Sequence, residues 1–184
     1  DQDKSGFSVR TLTEKRREAI DLLTLVVHKP NFDNDILERE KKRYIASISQ
    51  SETMPESIAS KAFNKALYGE HPYGFPSSGE VETIQKISKK DLHNFYKNNY
   101  FSNELSIVIV GDISRKEDED IGNKISLGFT QNTTELRIPP VKKERAQEII
   151  IKHPAKQAHL YYGAPIIKRG DPDFLALYLG NYIL

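Results

Sequence analysis

Five histidines are the side chains of this sequence best suited to binding a metal ion or transferring a proton: His28, His71, His93, His153 and His159. Two histidines hold zinc together when they lie one helical turn apart on the same face of a helix. No pair in this sequence has that spacing. His153 and His159 lie on either side of a proline and could meet only across adjacent strands. We therefore predict no metal site, and we expect His28 at a helix end, His71 in a turn and His93 on an exposed helix face.

The sequence also lacks the motifs of nucleophilic catalysis and phosphate binding. It contains no cysteine, which excludes a thiolate nucleophile, a disulfide and a thiolate metal site. It has neither a Gly-x-Ser-x-Gly elbow nor a glycine-rich phosphate loop. Carboxylates such as Glu38, Glu40 and Glu52 have no spacing that sets them apart from the solvated faces of charged helices. The residues alone therefore predict no catalytic residue.

Charge and hydropathy exclude two classes of partner. Twenty-seven basic and 26 acidic residues occur in mixed runs and give a net charge of +1, so the basic footprint of a nucleic-acid-binding protein is missing. The longest apolar runs, at 105–110 and 148–151, are far shorter than the roughly 20 residues that cross a bilayer. The N-terminal residues lack the pattern of a signal peptide. We predict no nucleic-acid partner and no membrane span, and localisation stays unknown.

Hydrophobic periodicity predicts an α+β fold in which helices are separated by short strands. Pro55 suits the first turn of a helix, and Ser88 with Asp91 resembles a capping box. The predicted strands lie at 7–12, 104–113, 146–153 and 157–166. The predicted helices lie at about 13–29, 33–49, 56–68, 91–100 and 115–127, with a short helix or turn at 81–87 and a further helix from 173.

The pattern divides the chain into three parts. Residues 1–129 form the first α+β domain, and the polar stretch 130–144, which contains Pro139-Pro140, is predicted to be a linker. Residues 145–184 are predicted to begin a second domain. Because the sequence stops within an apolar helical pattern that has no C-cap signal, we expect the natural protein to continue.

The order of several short segments resembles the pitrilysin/insulinase family of zinc peptidases. In the first domain the shared landmarks are Leu67-Tyr68, His71-Pro72-Tyr73-Gly74, Gly79, Ile84, Asp91-Leu92, Phe95-Tyr96, Tyr100 and Val110-Gly111-Asp112. In the second they are Gln157-Ala158-His159, Gly163, Pro165, Asp171-Pro172-Asp173 and Asn181-Tyr182-Ile183-Leu184. The resemblance implies a processing-peptidase-like fold, in which an antiparallel sheet is covered by helices on one side. It also implies that 145–184 begins the next homologous domain.

The same resemblance implies where zinc ligands would lie in a catalytic member of the family. In catalytic halves of this family, zinc is held by a His-x-x-Glu-His motif and by a downstream Glu, which lies seven residues after another Glu on one helix. This sequence has no His-x-x-Glu-His. Glu40 matches the first helix Glu, and that register places Ser47 where the third zinc ligand is expected. A neutral hydroxyl is a poor substitute for a carboxylate ligand, so we predict no metal and no catalytic residue in this chain.

The resemblance therefore favours a non-catalytic half or partner subunit of a bacterial-type zinc peptidase, which forms the chamber wall and binds peptide. Its implied partners are a catalytic half or subunit of the same family and a peptide substrate, and zinc belongs to the complete enzyme or to that partner. Two alternatives stay open: a catalytic half whose zinc motif lies upstream, and a structural relative of the core subunits of respiratory complexes. By resemblance, a periplasmic or cell-envelope location is expected.

A peptide is expected to add as a strand to an exposed sheet edge. Among 7–12, 146–153 and 157–166 the sequence does not decide which edge is used, so the peptide-binding residues stay unknown. In the last of these, His159, Tyr161 and Gly163 alternate with Leu160 and Tyr162. One face of this segment could therefore pack while the other lines a cavity.

Overall fold

The computed structural model describes residues 3–132, 138–142 and 145–183. Seven α-helices occur in these ranges: α1 Arg16–His28, α2 Asn34–Ser51, α3 Pro55–Tyr68, α4 Val81–Lys86, α5 Lys89–Asn99, α6 Arg115–Ser126 and α7 Phe174–Ile183. Short 3-10 helices lie at Thr13–Lys15, Pro72–Gly74 and Ser102–Glu104.

Local sequence signals explain where several helices begin. Pro55 is the first residue of α3, where its missing N–H costs no helical hydrogen bond. Ser88 caps α5, because its hydroxyl accepts from the amide of Asp91 while the Asp91 carboxylate accepts from the amide of Ser88. Ser114 and Glu117 form the same reciprocal box at the start of α6. The predicted helices and the capping box at Ser88 are thus confirmed.

The predicted antiparallel sheet is wrong for this structure. In the described ranges no strand is formed, and the one strand-type pairing is an isolated parallel bridge between Phe101 and Thr130. The stretches predicted as strands, at 7–12, 104–113, 146–153 and 157–166, contain no α-helix and join no ladder. A strand is stabilised by cross-strand pairs, so apolar alternation without a pairing neighbour does not make one. The regular elements of the described ranges are all helical.

The chain forms two compact units. Unit 1 comprises Asp1–Ala46 with Glu80–Arg137, and unit 2 comprises Ser47–Gly79 with Ile138–Leu184. These are units of spatial contact and do not test homology, so the predicted domains 1–129 and 145–184 stay a prediction. Residues 133–137 and 143–144 of the predicted linker 130–144 lie outside the described residues.

Unit 1 is assembled around the C-terminal end of α1. Val27 is buried there, and its carbonyl accepts a hydrogen bond of 2.8 Å from the hydroxyl of Tyr96 in α5. The ring of Tyr96 lies 5.2 Å from that of Tyr100, which in turn stacks on Phe129 at 6.5 Å. Burial raises the pKa of the Tyr96 phenol, with the neighbouring Tyr100 as a smaller cause. This aromatic cluster fastens α5 and the end of α6 to α1.

Candidate functional site

The helix predicted to carry the third zinc ligand is α2. Glu40 is ion-paired to Arg43 at 2.7 Å and to Arg39 at 3.5 Å, and the hydrogen bond from Arg43 is the main cause that lowers its pKa. Ser47 lies seven residues later on the same helix and is exposed to solvent. The Glu40 carboxylate is therefore already paired with two arginines. The assignment of Ser47 to the ligand position stays a prediction.

No metal centre is assembled in the described part of the chain, where no three His, Asp or Glu side chains are grouped so as to hold an ion. His93 is exposed on α5 and meets the edge of Phe32 at 5.0 Å. His153 and His159 both line a cavity in unit 2 but belong to no such group.

His71 closes the turn that follows α3. Its ring Nδ1 accepts from the amide of Tyr73 at 3.1 Å, and its Nε2 donates to the carbonyl of Pro139 at 2.9 Å. These two bonds require a neutral ring with its proton on Nε2. The residue is buried, and both ring nitrogens are used, so neither is available to a metal. His71 thus ties the turn to the residues around 139.

Unit 2 contains a cavity of about 890 Å³, which we call the groove. One wall is the apolar face of α3, with Ile58, Ala62 and Phe63, and the other wall runs through residues 145–165. A volume in the range of about 300–1,000 Å³ is typical of ligand sites. The groove is therefore large enough for a ligand or a short peptide segment.

The two walls of the groove meet where Tyr161 lies 5.7 Å from the ring of Phe63. Gly163 is close to the same ring, since a Cβ at that position would come within 3.2 Å of the Phe63 Cζ. By contrast, Leu160 and Tyr162 are 85% and 84% exposed. Their alternation with Tyr161 and Gly163 follows the pattern in the sequence, in which one face packs and the other is open.

The backbone of the second wall is mostly unpaired. Within 145–167 the one backbone–backbone hydrogen bond among described residues joins the Ala155 amide to the His153 carbonyl at 2.8 Å. The amide of the Gln147 side chain also reaches the carbonyl of Ala66 in α3, at 3.5 Å. Unpaired amides and carbonyls beside an apolar wall provide what a bound peptide backbone needs.

The sequence predicted the helix that forms one wall, but it did not predict the groove or its charged rim. Arg145, Lys152 and Lys156 line the groove together with the isoleucines of 149–151. The sequence feature that could have indicated the charged rim is the placement of Lys152 and Lys156 on either side of Pro154, at the end of an apolar run. Which wall such a run would face depends on tertiary packing, and periodicity does not specify it.

Comparison with known proteins places the chain in a family. Residues 86–184 match the family model described as the peptidase M16 inactive domain. A solved structure of a peptidase M16 inactive domain from Pseudomonas fluorescens superposes with a TM-score of 0.78 at 30% identity, over 94% of this chain and 42% of that one.

Two curated relatives are also similar over most of the chain. The uncharacterized zinc protease YmxG of Bacillus subtilis is 26% identical over 179 residues, which is 97% of this chain and 43% of that protein. The non-peptidase homolog YmxG of Helicobacter pylori is 28% identical over 161 residues, 86% of this chain and 37% of that protein. The chain thus spans less than half the length of these relatives.

These matches confirm the predicted family and its non-catalytic class. The chain belongs to the family of the peptidase M16 inactive domain.

Proposed function

We propose that this chain is a non-catalytic, peptide-binding wall of a peptidase chamber, and that the zinc and the catalytic groups come from another half or subunit of the same family. The observation that carries the proposal is the groove of unit 2. It combines an apolar helix face with a second wall whose backbone amides and carbonyls are largely unpaired among the described residues. Side chains of a peptide can pack on the apolar helix face, and its backbone can form hydrogen bonds with the second wall.

Binding by the chain alone is expected to be weak. Association costs translational and rotational freedom, and the chain alone lacks the contacts that the other half or subunit of the chamber would add. We expect a Kd above about 1 μM for a labelled, unstructured peptide. Fluorescence anisotropy measures it, and a submicromolar value would show a self-sufficient binding module instead of one wall of a chamber.

Catalysis is expected to be absent. Residues 1–184 should not cleave an unstructured peptide, with or without added zinc, because they lack the His-x-x-Glu-His motif and have Ser47 at the position predicted for the third ligand. Ser47→Glu should leave the chain inactive, since it restores one carboxylate without the His-x-x-Glu-His motif. Mass spectrometry of the incubated peptide tests both, and chelator-sensitive cleavage by either protein would contradict the proposal.

A further inference from the structure

The charged side chains among the described lining residues of the groove are all basic. Arg145, Lys152 and Lys156 are among its lining residues, and no Asp or Glu of the described ranges is. Glu148 belongs to the same stretch of chain but does not line the groove. The chain as a whole is nearly neutral, with a net charge of +1, so this excess is local.

The three cations have no described partner that neutralises them. The ion pairs of unit 2 among described residues are Lys61 with Glu52 at 3.6 Å and Lys65 with Glu70 at 2.5 Å. Both lie outside the second wall. Arg145, Lys152 and Lys156 are exposed and make no described ion pair. An occupant that carries carboxylates would supply the missing counter-charges.

The apolar wall limits the class of ligand that the groove can bind. Ile58, Phe63 and Ile150 present aliphatic and aromatic surface, and Ile150 is 77% exposed. A nucleic acid would supply anionic groups but little aliphatic surface to cover these side chains. An extended polypeptide can place alternate side chains toward the apolar wall and toward the cations.

We propose that the groove binds an extended peptide segment in which carboxylate side chains alternate with apolar ones. The inference rests on the proposed peptide binding and adds the chemical class of the peptide. Apolar side chains pack on α3, carboxylates face Arg145, Lys152 and Lys156, and the peptide backbone pairs with the second wall.

Three labelled peptides of the same length test the charge preference on residues 1–184: one alternates glutamate with leucine, the second replaces each glutamate by glutamine, and the third replaces it by lysine. Exposed ion pairs are individually weak, so we expect the acidic peptide to bind about fivefold to tenfold more tightly than the glutamine peptide at low salt. The difference should shrink at high salt because the charges are screened. The lysine peptide should bind most weakly.

Two double charge-reversal variants test whether the preference for the acidic peptide arises in the groove. Lys152→Glu with Lys156→Glu should abolish the preference for the acidic peptide. The matched control, Lys42→Glu with Lys116→Glu, changes the net charge equally at exposed positions of unit 1 and should keep the preference. Circular dichroism checks that both variants retain the helical content of the parent.

The outcomes separate the two proposals. If the glutamine peptide binds as well as the acidic one, the charge preference is wrong while peptide binding stands. If the control variant loses the preference as fully as the groove variant, the site is not the groove. If no peptide binds, both proposals fail, and tighter binding of a single-stranded oligonucleotide than of the acidic peptide would overturn the choice of a peptide.

Discussion

Unit 1 and unit 2 are held together in different ways. In unit 1, side chains join parts of the sequence that are far apart: Arg16 pairs with Glu117, and Lys124 pairs with Asp21. In unit 2, the described ion pairs join residues that are near neighbours in sequence, such as Lys65 and Glu70. Cross-links between distant segments restrict a compact state more than local pairs do. Unit 1 is therefore cross-linked by ion pairs between distant segments, whereas the distant contacts described in unit 2 are uncharged, such as the hydrogen bond from His71 to Pro139 and the ring contact of Phe63 with Tyr161.

Both units leave large apolar side chains exposed to solvent. Among the described residues the second wall of the groove has exposed large side chains, of which Ile150, Leu160 and Tyr162 are at least 77% exposed. In unit 1 the rings of Tyr96, Tyr100 and Phe129 contact one another. Unit 1 also exposes large apolar side chains, of which Val108, Val110 and Leu127 are at least 84% exposed, so exposed apolar surface alone does not set the groove apart. The basic side chains among the described lining residues do.

The largest expected effect is in the packing of unit 1 around His28. A Cβ on Gly128 would lie 2.1 Å from His28 Nδ1 and 2.7 Å from its Cγ. The imidazole also packs on Phe129, with ring centroids 4.7 Å apart, so it has little room to withdraw. Gly128→Ala should therefore lower the free energy of unfolding by about 1–3 kcal/mol, as overpacking does. Thermal denaturation followed by circular dichroism measures it.

Gly122 provides the matched control for that substitution. It lies within α6, and no atom would be within 4 Å of an added Cβ. Gly122→Ala should raise the free energy of unfolding by about 0.5–1 kcal/mol, because alanine is favoured over glycine in a helix interior. Equal destabilisation by both substitutions would mean that the contact between Gly128 and His28 is unimportant.

A smaller effect is expected at the cross-link made by Arg16. Its guanidinium donates to the Asp112 carbonyl at 2.7 Å and also pairs with Glu117. Arg16→Ala should lower the free energy of unfolding by about 1–2 kcal/mol through the lost charge-assisted bond to Asp112. Urea unfolding measures the change.

Arg115→Ala is the matched control for Arg16. Arg115 pairs with Glu119 one turn away on α6, and its side chain is 91% exposed. The cost of this change should stay below about 0.5 kcal/mol. If Arg115→Ala proved as costly as Arg16→Ala, the distinction between distant and local pairs in unit 1 would be lost.

The smallest expected effect is a loss of stability at low pH. Among the described residues, four carboxylates have a lowered pKa, and all lie in unit 1: Asp21, Glu40, Asp91 and Glu117. The main causes are hydrogen bonds from Lys124, Arg43, Ser88 and Ser114 respectively. A lowered pKa stabilises the fold above the ordinary values of 3.8 for Asp and 4.5 for Glu, and this stability is lost as pH falls through the folded pKa values.

Acidification below those ordinary values should therefore weaken unit 1 more than unit 2. Hydrogen exchange of amides in α5 and α6, compared with amides in α3, measures the difference as pH is lowered. Ser114→Ala should reduce it in part, because it removes the hydroxyl bond to Glu117 but keeps the backbone amide bond, which is the larger cause of the lowered pKa. A larger acid effect on α3 than on α5 and α6 would contradict the assignment.

The sequence predicts the parts of this fold that depend on near neighbours. Pro55 and the Ser88 box act within one helical turn, so their spacing is enough to place the starts of α3 and α5. The stretches around 104–113 and 146–153 failed as strands because pairing depends on residues elsewhere in the chain. The groove and the bond from His71 to Pro139 were missed for the same reason, since each joins segments more than 60 residues apart.

Hydrogen–deuterium exchange of residues 1–184, with and without the glutamate–leucine peptide, tests most directly that this non-catalytic chain binds peptide in unit 2. We expect slower exchange of amides within 146–153 and 157–166, no change in α5 and α6 of unit 1, and intact peptide at the end of the incubation. Protection confined to unit 1, or a cleaved peptide, would contradict the account.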